Sequence, residues 1–393
     1  MLKAYKYRIY PNASQRQQLA HHFGCARWVY NWALDATKKH YEQTKKQLSR
    51  RDLQDRLVTL KHTEEHAWLK EVNSQSLLGA LLHLHKAYKN FFKKRAKYPK
   101  FKKKHNRQTF ECPQHVKLDT PIKRLYLPKI KGIKIKQHRP FQGKIKTVTL
   151  TKTPSGKYYA SILVQSNATH PVLAPVKKDK TIGIDLRLNH FAITSQGEKI
   201  ANPKFLKKSL KRLGINQKIR ARKDYKNKST NYKKQCIKVA RTHESVANRR
   251  YNFIQQYTAT LVGESQATSF AVEDLHVKGM IKNRKLARSI ADSSWGTFLR
   301  VLSYKSRWHG KNVLTIGRFV ASSKTCHACG HKEKIMPLRV REWDCLCGLS
   351  HDRDINASKV IKKQAIADAL GLSVCIKSSS TATSVSADAV ARG

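Results

Sequence analysis

Acidic residues are scarce in this chain of 393 residues, which contains 25 Asp and Glu against 80 Lys and Arg and carries a formal charge of +55. Such an excess is too large for an ordinary enzyme, because like charges repel one another in the compact state. A polyphosphate partner would offset that repulsion through phosphate contacts and counterion release. The composition therefore indicates a nucleic acid, or otherwise an anionic membrane surface, as the partner.

Long apolar runs are also missing, because no segment approaches the roughly 20 residues needed to span a bilayer. The first residues, Met1–Lys6, contain neither the apolar core nor the cleavage site of a secretory signal. We therefore expect no membrane partner and a cytoplasmic location. Four of the eight cysteines cluster within 22 positions, and the scattered remainder is typical of free packing thiols.

The length predicts two to four domains. Residues 1–10 alternate as a strand, and Asn12 with Gln15 resembles a capping box that opens a helix, which Gly24 could split into two. Residues 50–98 continue with helical periodicity. Residues 120–165 change to strand alternation, with a hairpin turn at 154–156, and predict a small β-barrel or sheet with a basic face.

The second half of the chain begins with three short predicted strands at residues 181–200. Residues 201–260 are mostly helical, and Ser269–Leu275 is a short apolar strand. The last helix is predicted from near Asp354 to about Leu370. The tail from Ser378 is rich in Ser, Thr and Ala, which predicts disorder.

Two very basic segments are candidate nucleic-acid contacts. Residues 91–104 contain eight Lys and Arg with interleaved aromatic residues, and residues 201–250 contain 17 Lys and Arg against two acids. A solvated charged surface is the simpler interpretation, but interleaved aromatic residues favour contact with nucleic acid. The candidate contacts are Lys93, Lys94, Arg95, Lys102, Lys103, Lys207, Lys208, Lys211, Arg212, Arg249 and Arg250.

Three carboxylates stand out against this basic background: Asp185, Glu273 and Asp354. Asp185 and Glu273 end short apolar strands, and Asp354 adjoins the start of the last helix. A strand-turn-strand-turn-strand opening whose first strand ends in Asp is typical of RNase H-like folds. If the fold gathers these residues, they can share two hard cations about 4 Å apart, as a metal-dependent nuclease requires.

Each of these acids has a simpler interpretation. Asp185 could begin a turn, Glu273 could pair with a surface lysine, and an Asp at a helix start is normally a cap. Asp274 and Asp352 remain alternatives. The joint occurrence of Asp185, Glu273 and Asp354 around a cysteine cluster favours the catalytic interpretation.

The cysteine cluster has the spacing Cys326-x2-Cys329 and Cys345-x-Cys347. Two short-spaced pairs provide the four thiolates of a tetrahedral structural Zn²⁺ site, and the second pair is one residue tighter than usual. His327, His331 or His351 could replace one cysteine. Disulfides are disfavoured in a cytosolic chain.

These motifs, in this order, resemble the TnpB (OrfB-type) proteins of insertion sequences. The resemblance includes Gly183-Ile184-Asp185, Val272-Glu273-Asp274-Leu275, the segment 322–330 that contains the first cysteine pair, Cys345-x-Cys347-Gly348 and Asp352–Ala357. It also includes the opening 7–12 and covers nearly the whole chain. Ala321 departs from the proline that many members have before Ser-Ser-Lys, and the second cysteine pair departs in its spacing.

The resemblance implies an α+β multidomain fold. A β-barrel wedge domain would comprise residues 1–10 and 105–180, and a helical recognition domain with a helix-turn-helix-like start would comprise 11–104. A RuvC-type nuclease domain would comprise 181–325 and 348–370, with a zinc-binding insertion at 326–347. Residues 371–393 would form the disordered tail.

The resemblance also implies an RNA-guided DNA endonuclease of a transposable element, cytoplasmic and nucleoid-associated in a bacterium or archaeon. Asp185, Glu273 and Asp354 match the catalytic Mg²⁺ (or Mn²⁺) ligands, and the four cysteines match the zinc ligands. The partners would be a guide RNA from the transposon end and double-stranded DNA with a short adjacent motif. A monomer is favoured. A strand-transfer transposase and a catalytically silent regulator remain the alternatives.

Overall fold

The computed structural model describes residues 1–223, 229–337 and 339–371. The chain forms two compact units. The first comprises Met1–Thr169 and Ser209–Val246, and the second comprises His170–Lys208 and the chain from Ala247 onward. The residues after Gly371, which include the tail predicted to be disordered, lie outside the described part of the chain.

A seven-stranded sheet dominates the first unit. Its strands are β1 (Leu2–Tyr10), β2 (Gln108–Cys112), β3 (Lys117–Asp119), β4 (Arg124–Leu127), β5 (Ile130–Lys136), β6 (Lys144–Lys152) and β7 (Tyr158–Gln165). They lie in the order β2-β6-β7-β1-β5-β4-β3, and all neighbours are antiparallel. The hairpin predicted around residues 154–156 is confirmed by β6 and β7. Within residues 1–169 no backbone pairing joins the edge strands β2 and β3, so the expected barrel closure is not confirmed.

Helices follow β1 directly. They are α1 (Ala13–Thr44), α2 (Arg50–Leu60), a 3-10 helix (Glu64–Glu71) and α3 (Ser74–Phe92). The predicted capping box is confirmed, because Asn12 accepts from the amide of Gln15 at 2.8 Å and Gln15 accepts from the amide of Asn12 at 3.0 Å. The predicted split at Gly24 is wrong, since α1 is continuous for 32 residues. The start for which the resemblance implies a helix-turn-helix-like arrangement consists of α1, the segment 45–49 and α2.

One hydrophobic core serves both the sheet and the helices of the first unit. Phe110 on β2 packs edge-on against Phe23 of α1, with ring centroids 5.0 Å apart, and Tyr7 of β1 is fully buried in the same core. Apolar surface from the sheet and from α1 and α3 is thus removed from water together. The structure does not divide this region into the two separately packed domains that the sequence analysis expected.

Two long basic helices follow the first strands of the second unit. They are α4 (Phe205–Ala221) and α5 (Thr230–Gly263). The helical prediction for residues 201–260 is confirmed here, although residues 224–228 lie outside the described part of the chain. Residues 209–246 of these helices belong to the first unit, whereas the sequence analysis had included them in the nuclease domain.

A five-stranded sheet forms the centre of the second unit. Its strands are β8 (Thr181–Asp185), β9 (His190–Thr194), β10 (Lys199–Ala201), β11 (Ser269–Glu273) and β12 (Asn312–Ile316). The order is β10-β9-β8-β11-β12, with β9 antiparallel to β8 and β10 and with β8, β11 and β12 mutually parallel. The three short strands predicted from residue 181 and the predicted apolar strand that contains Glu273 are therefore confirmed.

The remaining helices pack around this sheet. They are α6 (Val277–Met280), α7 (Ala287–Ser293), α8 (Trp295–Trp308) and α9 (Arg353–Ala369). The buried stripe of α8 includes Trp295, Phe298 and Leu302, which lie in the core of the second unit. Across the described residues, no helix combines the length and the apolar character that crossing a membrane requires.

A short hairpin precedes α9 and consists of β13 (Glu342–Asp344) and β14 (Ser350–Asp352). Trp343 and Met336 pack with Cys326 and Cys345 in a small separate core. So few apolar residues bury little surface, and a region of this size usually needs a metal or a disulfide for its stability.

Candidate active site and cysteine cluster

The first two carboxylates lie at adjacent strand ends of the central sheet. Asp185 is the last residue of β8 and is 4% exposed, and Glu273 is the last residue of β11. Ile184 pairs with Val272 in parallel register, so the two strands end side by side. The carboxyl ends of parallel strands are a common position for polar functional groups in such sheets.

The third carboxylate is at the first turn of α9. Asp352 is the N-cap, because its side chain accepts from the amides of Asp354 at 2.9 Å and Ile355 at 3.0 Å. Asp352 also pairs with Lys199 at 2.6 Å. The N-cap of α9 is thus Asp352 and not Asp354, so the simpler interpretation of Asp354 as a helix cap does not apply. The side chain of Asp354 is buried and free to contact residues at the end of β8.

Arg187 joins Asp185 to Asp354. Its Nε is 2.6 Å from Oδ2 of Asp185, and its Nη1 is 3.1 Å from Oδ1 of Asp354. Oδ1 of Asp354 is buried, and its contact with Nη1 of Arg187 is an ion pair that lacks hydrogen-bond geometry. Arg341 lies 3.7 Å from the other oxygen of Asp354. The two Asp residues are therefore within reach of one guanidinium group, and one oxygen keeps unused acceptor capacity.

Glu273 is fixed by a different partner. The hydroxyl of Ser322 donates to its Oε1 at 2.7 Å. The neighbouring Asp274 is 53% exposed in its side chain and pairs with Arg318. Glu273 is therefore fixed by Ser322 at the end of β11, whereas the adjacent Asp274 lies at the surface.

Burial raises the pKa of Asp185 to about 6. The nearby Arg187 lowers it, while the charges of Glu273 and Asp354 raise it. Burial penalises the charged carboxylate more strongly than the arginine favours it. The three acids thus interact electrostatically, which favours binding of positive charge between them.

The four predicted zinc ligands lie together. Among the residues that the structure describes, Cys326, Cys329, Cys345 and Cys347 form the one group of potential metal ligands whose atoms are all within 4.8 Å. The Sγ atoms of Cys326 and Cys347 are 3.8 Å apart, and those of Cys329 and Cys345 are 3.6 Å apart. Tetrahedral Zn²⁺ with Zn–S distances of about 2.3 Å requires ligand separations of roughly 3.8 Å. The thiolates therefore fit a zinc ion.

Two histidines lie beside these cysteines without being members of the group. Nε2 of the buried His351 is 3.1 Å from Sγ of Cys326. His327 donates its amide to Oδ1 of Asn356 at 2.9 Å, and Nδ2 of Asn356 donates to the carbonyl of Thr325 at 2.7 Å. Asn356, in the first turn of α9, thus connects this helix to the first cysteine loop.

Nine of the eleven predicted nucleic-acid contacts are exposed. Lys102 and Arg250 differ from them, because both are half-buried. Nζ of Lys102 lies 3.9 Å from the centroid of the Tyr30 ring, and burial lowers the pKa of Lys102. Arg250 pairs with the buried Asp292 at 2.8 Å. Their positions favour structural roles, while contact with nucleic acid stays a prediction for the whole set.

Sequence reasoning missed Arg187 and Ser322. Arg187 follows Asp185 by two positions, and Ser322 belongs to the Ser-Ser-Lys segment before the first cysteine pair. A basic residue two positions after an acidic strand end was the available signal for Arg187. Nothing local connects Ser322 with Glu273, which is 49 residues away in the chain.

Three family models match separate parts of the chain. They are described as a helix-turn-helix domain of OrfB (residues 1–46), a "Probable transposase" of the OrfB type (161–284) and a Cas12f1-like TNB domain (295–361). The first covers β1 and α1, and the second covers both strand ends that carry Asp185 and Glu273.

Curated relatives match over nearly the full length. A "Putative RNA-guided DNA endonuclease" of Streptomyces pristinaespiralis is 36% identical, with 95% of this chain and 90% of the relative covered. The "Putative RNA-guided DNA endonuclease InsQ" of Escherichia coli K12 is 32% identical, with 92% and 91% covered.

The fold is also similar to a solved structure titled as a Cas12f1–sgRNA–target DNA complex. The TM-score is 0.57 at 11% identity, with 92% of this chain and 98% of that chain covered. The fold is thus α+β and multidomain, like that of the solved structure. Together with the full-length relatives, the matched OrfB domains identify the family. This chain belongs to the TnpB (OrfB-type) family.

Proposed function

We propose that this protein is an RNA-guided DNA endonuclease that hydrolyses phosphodiester bonds at Asp185, Glu273 and Asp354. The observation that carries the proposal is the joining of Asp185 and Asp354 by one guanidinium group at the end of the strand that neighbours the Glu273 strand. The names of the full-length relatives support guidance by RNA.

The donor set fits divalent cations of the Mg²⁺ or Mn²⁺ type. Carboxylate oxygens are their preferred ligands, and the buried Oδ1 of Asp354 has an ion-pair contact with Arg187 but accepts no aligned hydrogen bond. We propose that the three acids together hold a pair of such ions. When bound, such a pair activates a water nucleophile and stabilises the leaving 3′ oxygen.

The protein's own residues would position these ligands. The capping of α9 by Asp352 leaves the Asp354 carboxylate directed at the sheet, and Ser322 orients Glu273. Burial of Asp185 excludes water from its carboxylate, which strengthens its attraction for positive charge. The exposed basic residues of α4, with Arg249, would bind the phosphate backbone of guide RNA or target DNA.

We infer that the four cysteines hold one structural Zn²⁺. All four positions of the tetrahedron would be filled by protein, so the ion would contribute stability and leave hydrolysis to the carboxylates. Metal analysis should give one zinc per chain, and Cys347→Ser should lose it together with several kcal/mol of stability. Cys236→Ser, which changes a thiol outside the cluster, should retain the zinc.

The test of the main proposal uses the protein expressed with its transposon end. Sequencing of the co-purified RNA should show a discrete species that ends in a variable stretch. Plasmid that matches this stretch should be cut with Mg²⁺ present, and Asp185→Ala should abolish cutting while RNA binding is retained. Asp274→Ala is the matched control, because Asp274 is a neighbouring surface acid, and it should cut normally.

The alternatives predict different results. A strand-transfer transposase would join labelled transposon ends to target DNA, whereas a guided nuclease gives no joined product. A silent regulator would bind RNA and DNA without Mg²⁺-dependent cutting by the unaltered protein. Cutting by Asp185→Ala at the unaltered rate would refute the assignment of the site.

A further inference from the structure

Arg187 occupies an unusual position for a basic residue. It contacts the two carboxylates that the proposed function assigns to cation binding, with Nε at 2.6 Å from Asp185 and Nη1 at 3.1 Å from Asp354. Its side chain is only 21% exposed. Nε is hydrogen-bonded to Asp185, whereas Nη1 makes an ion-pair contact with Asp354. One planar guanidinium group thus contacts both carboxylates.

The position of Arg187 follows from the local chain. Arg187 lies two residues beyond Asp185, where β8 leaves the sheet toward β9. Side chains two positions apart in extended chain point to the same side. The Arg187 side chain therefore lies on the same side of the chain as the Asp185 carboxylate. Its ion pairs among the described residues are with Asp185 and Asp354.

Arg187 contacts one oxygen of each carboxylate, Oδ2 of Asp185 and Oδ1 of Asp354, so a divalent cation that used these oxygens would have to displace it. A guanidinium group at 2.6 Å and a dication on the same carboxylate would also repel one another strongly where water is excluded. The two cations are therefore competitors for one site.

We propose that Arg187 is a resident counter-ion which divalent cations must displace, and that it thereby sets the cation affinity of the site. This inference rests on the proposed function, because it concerns the same carboxylates. The apparent affinity for the ion is the intrinsic affinity multiplied by the fraction of molecules in which Arg187 has released the acids. The protein should therefore need more Mg²⁺ than its carboxylates alone would require.

The test measures Mn²⁺ binding by electron paramagnetic resonance to the full-length protein free of nucleic acid. Arg187→Ala should bind Mn²⁺ on the order of tenfold more tightly than the unaltered protein. Arg187→Lys should lie between the two, since it keeps the charge but cannot bridge two carboxylates in fixed geometry. Binding that persists in Asp185→Ala is subtracted as unrelated to the site.

Arg341→Ala is the matched control. It removes the same charge, but Arg341 is 52% exposed and lies 3.7 Å from a single oxygen of Asp354. Exposed pairs of this kind contribute little, so its Mn²⁺ affinity should change less than about twofold.

Thermal unfolding gives a second readout. In a chelator, Arg187→Ala should melt at a lower temperature, because buried Asp185 loses its counter-charge. Added Mg²⁺ should then raise the melting temperature of the variant by more than that of the unaltered protein. Equal or weaker Mn²⁺ binding by Arg187→Ala would overturn the inference while the metal site stands. Binding by neither protein would refute the metal site itself.

Discussion

Gly183 on β8 lies directly under the backbone of Ser358 in α9. A Cβ atom built on Gly183 would be 2.0 Å from the carbonyl oxygen of Ser358. No other residue type fits there, because backbone cannot move aside as a flexible side chain can. This close approach brings the first turn of α9, with Asp354, to the sheet.

Gly183→Ala should therefore destabilise the second unit by at least about 3 kcal/mol, the upper end of typical overpacking. Chemical denaturation would measure the loss. Gly24→Ala is the control, because a Cβ there meets nothing within 4 Å, and it should stabilise α1 by about 0.5–1 kcal/mol. Similar denaturation midpoints for the two variants would contradict the close approach of Gly183 to the backbone of Ser358.

Ser322 provides a test of how Glu273 is oriented. Ser322→Ala removes the 2.7 Å hydrogen bond to Oε1 of Glu273 and should slow guided cleavage about tenfold, as expected for a lost charge-assisted hydrogen bond of about 1.5 kcal/mol. Ser323→Ala changes the adjacent hydroxyl and should cut normally. Equal rates for the two variants would exclude a positioning role for Ser322.

Asp185 should impose a pH dependence on divalent-ion binding. Its pKa is raised to about 6, so the carboxylate is increasingly protonated below pH 6 and loses its capacity as a ligand. Mn²⁺ affinity should fall up to tenfold per pH unit below that value. A titration between pH 5 and 8 would show this, and a flat profile would contradict it.

The same raised pKa makes a prediction about stability. The folded state binds a proton at Asp185 more tightly than the unfolded state does, so this group's contribution to stability falls as pH rises from about 4 to 6. In chelator at pH 7, Asp185→Asn should therefore be more stable, by up to about 3 kcal/mol. Asp274→Asn, a surface change, should stay within about 0.5 kcal/mol.

Arg249 and Arg250 are adjacent but should behave differently. Arg250→Ala leaves the carboxylate of Asp292, 8% exposed in its side chain, without its ion pair, which should cost about 3 kcal/mol of stability. Arg249 is exposed, so Arg249→Ala should preserve stability and weaken RNA binding with a smaller salt dependence. Melting curves and filter binding at two salt concentrations would separate these effects.

Local sequence signals predicted much of this structure. The Asn12–Gln15 capping box, the β6–β7 hairpin, the three strands from residue 181 and the helix near Asp354 each depend on neighbours in the chain. The cysteine spacing likewise predicted a cluster, because two short-spaced pairs can meet in few ways. The gathering of the four thiolates is confirmed, while the zinc ion and the catalytic roles stay predictions.

Long-range packing limited the rest. The sequence does not show that Phe110 packs against Phe23, so the shared core of the first unit was missed. Gly24 suggested a break in the helix, but the helical preference of a 32-residue segment outweighs the cost of one glycine, which is about 1 kcal/mol. The position of Arg187 near Asp185 is visible in the sequence. Its second partner, Asp354, is 167 residues away, and only the folded structure shows that the two are in contact.

The bridge through Asn356 links two chemistries that are separate in sequence. Its amide group is bonded to the loop of Cys326 and Cys329 through His327 and Thr325, and it lies two residues after Asp354. Oxidation of those thiols would loosen the loop and, through this amide, the beginning of the helix that carries Asp354. Peroxide exposure would then reach the proposed catalytic carboxylates, which contain no sulfur of their own.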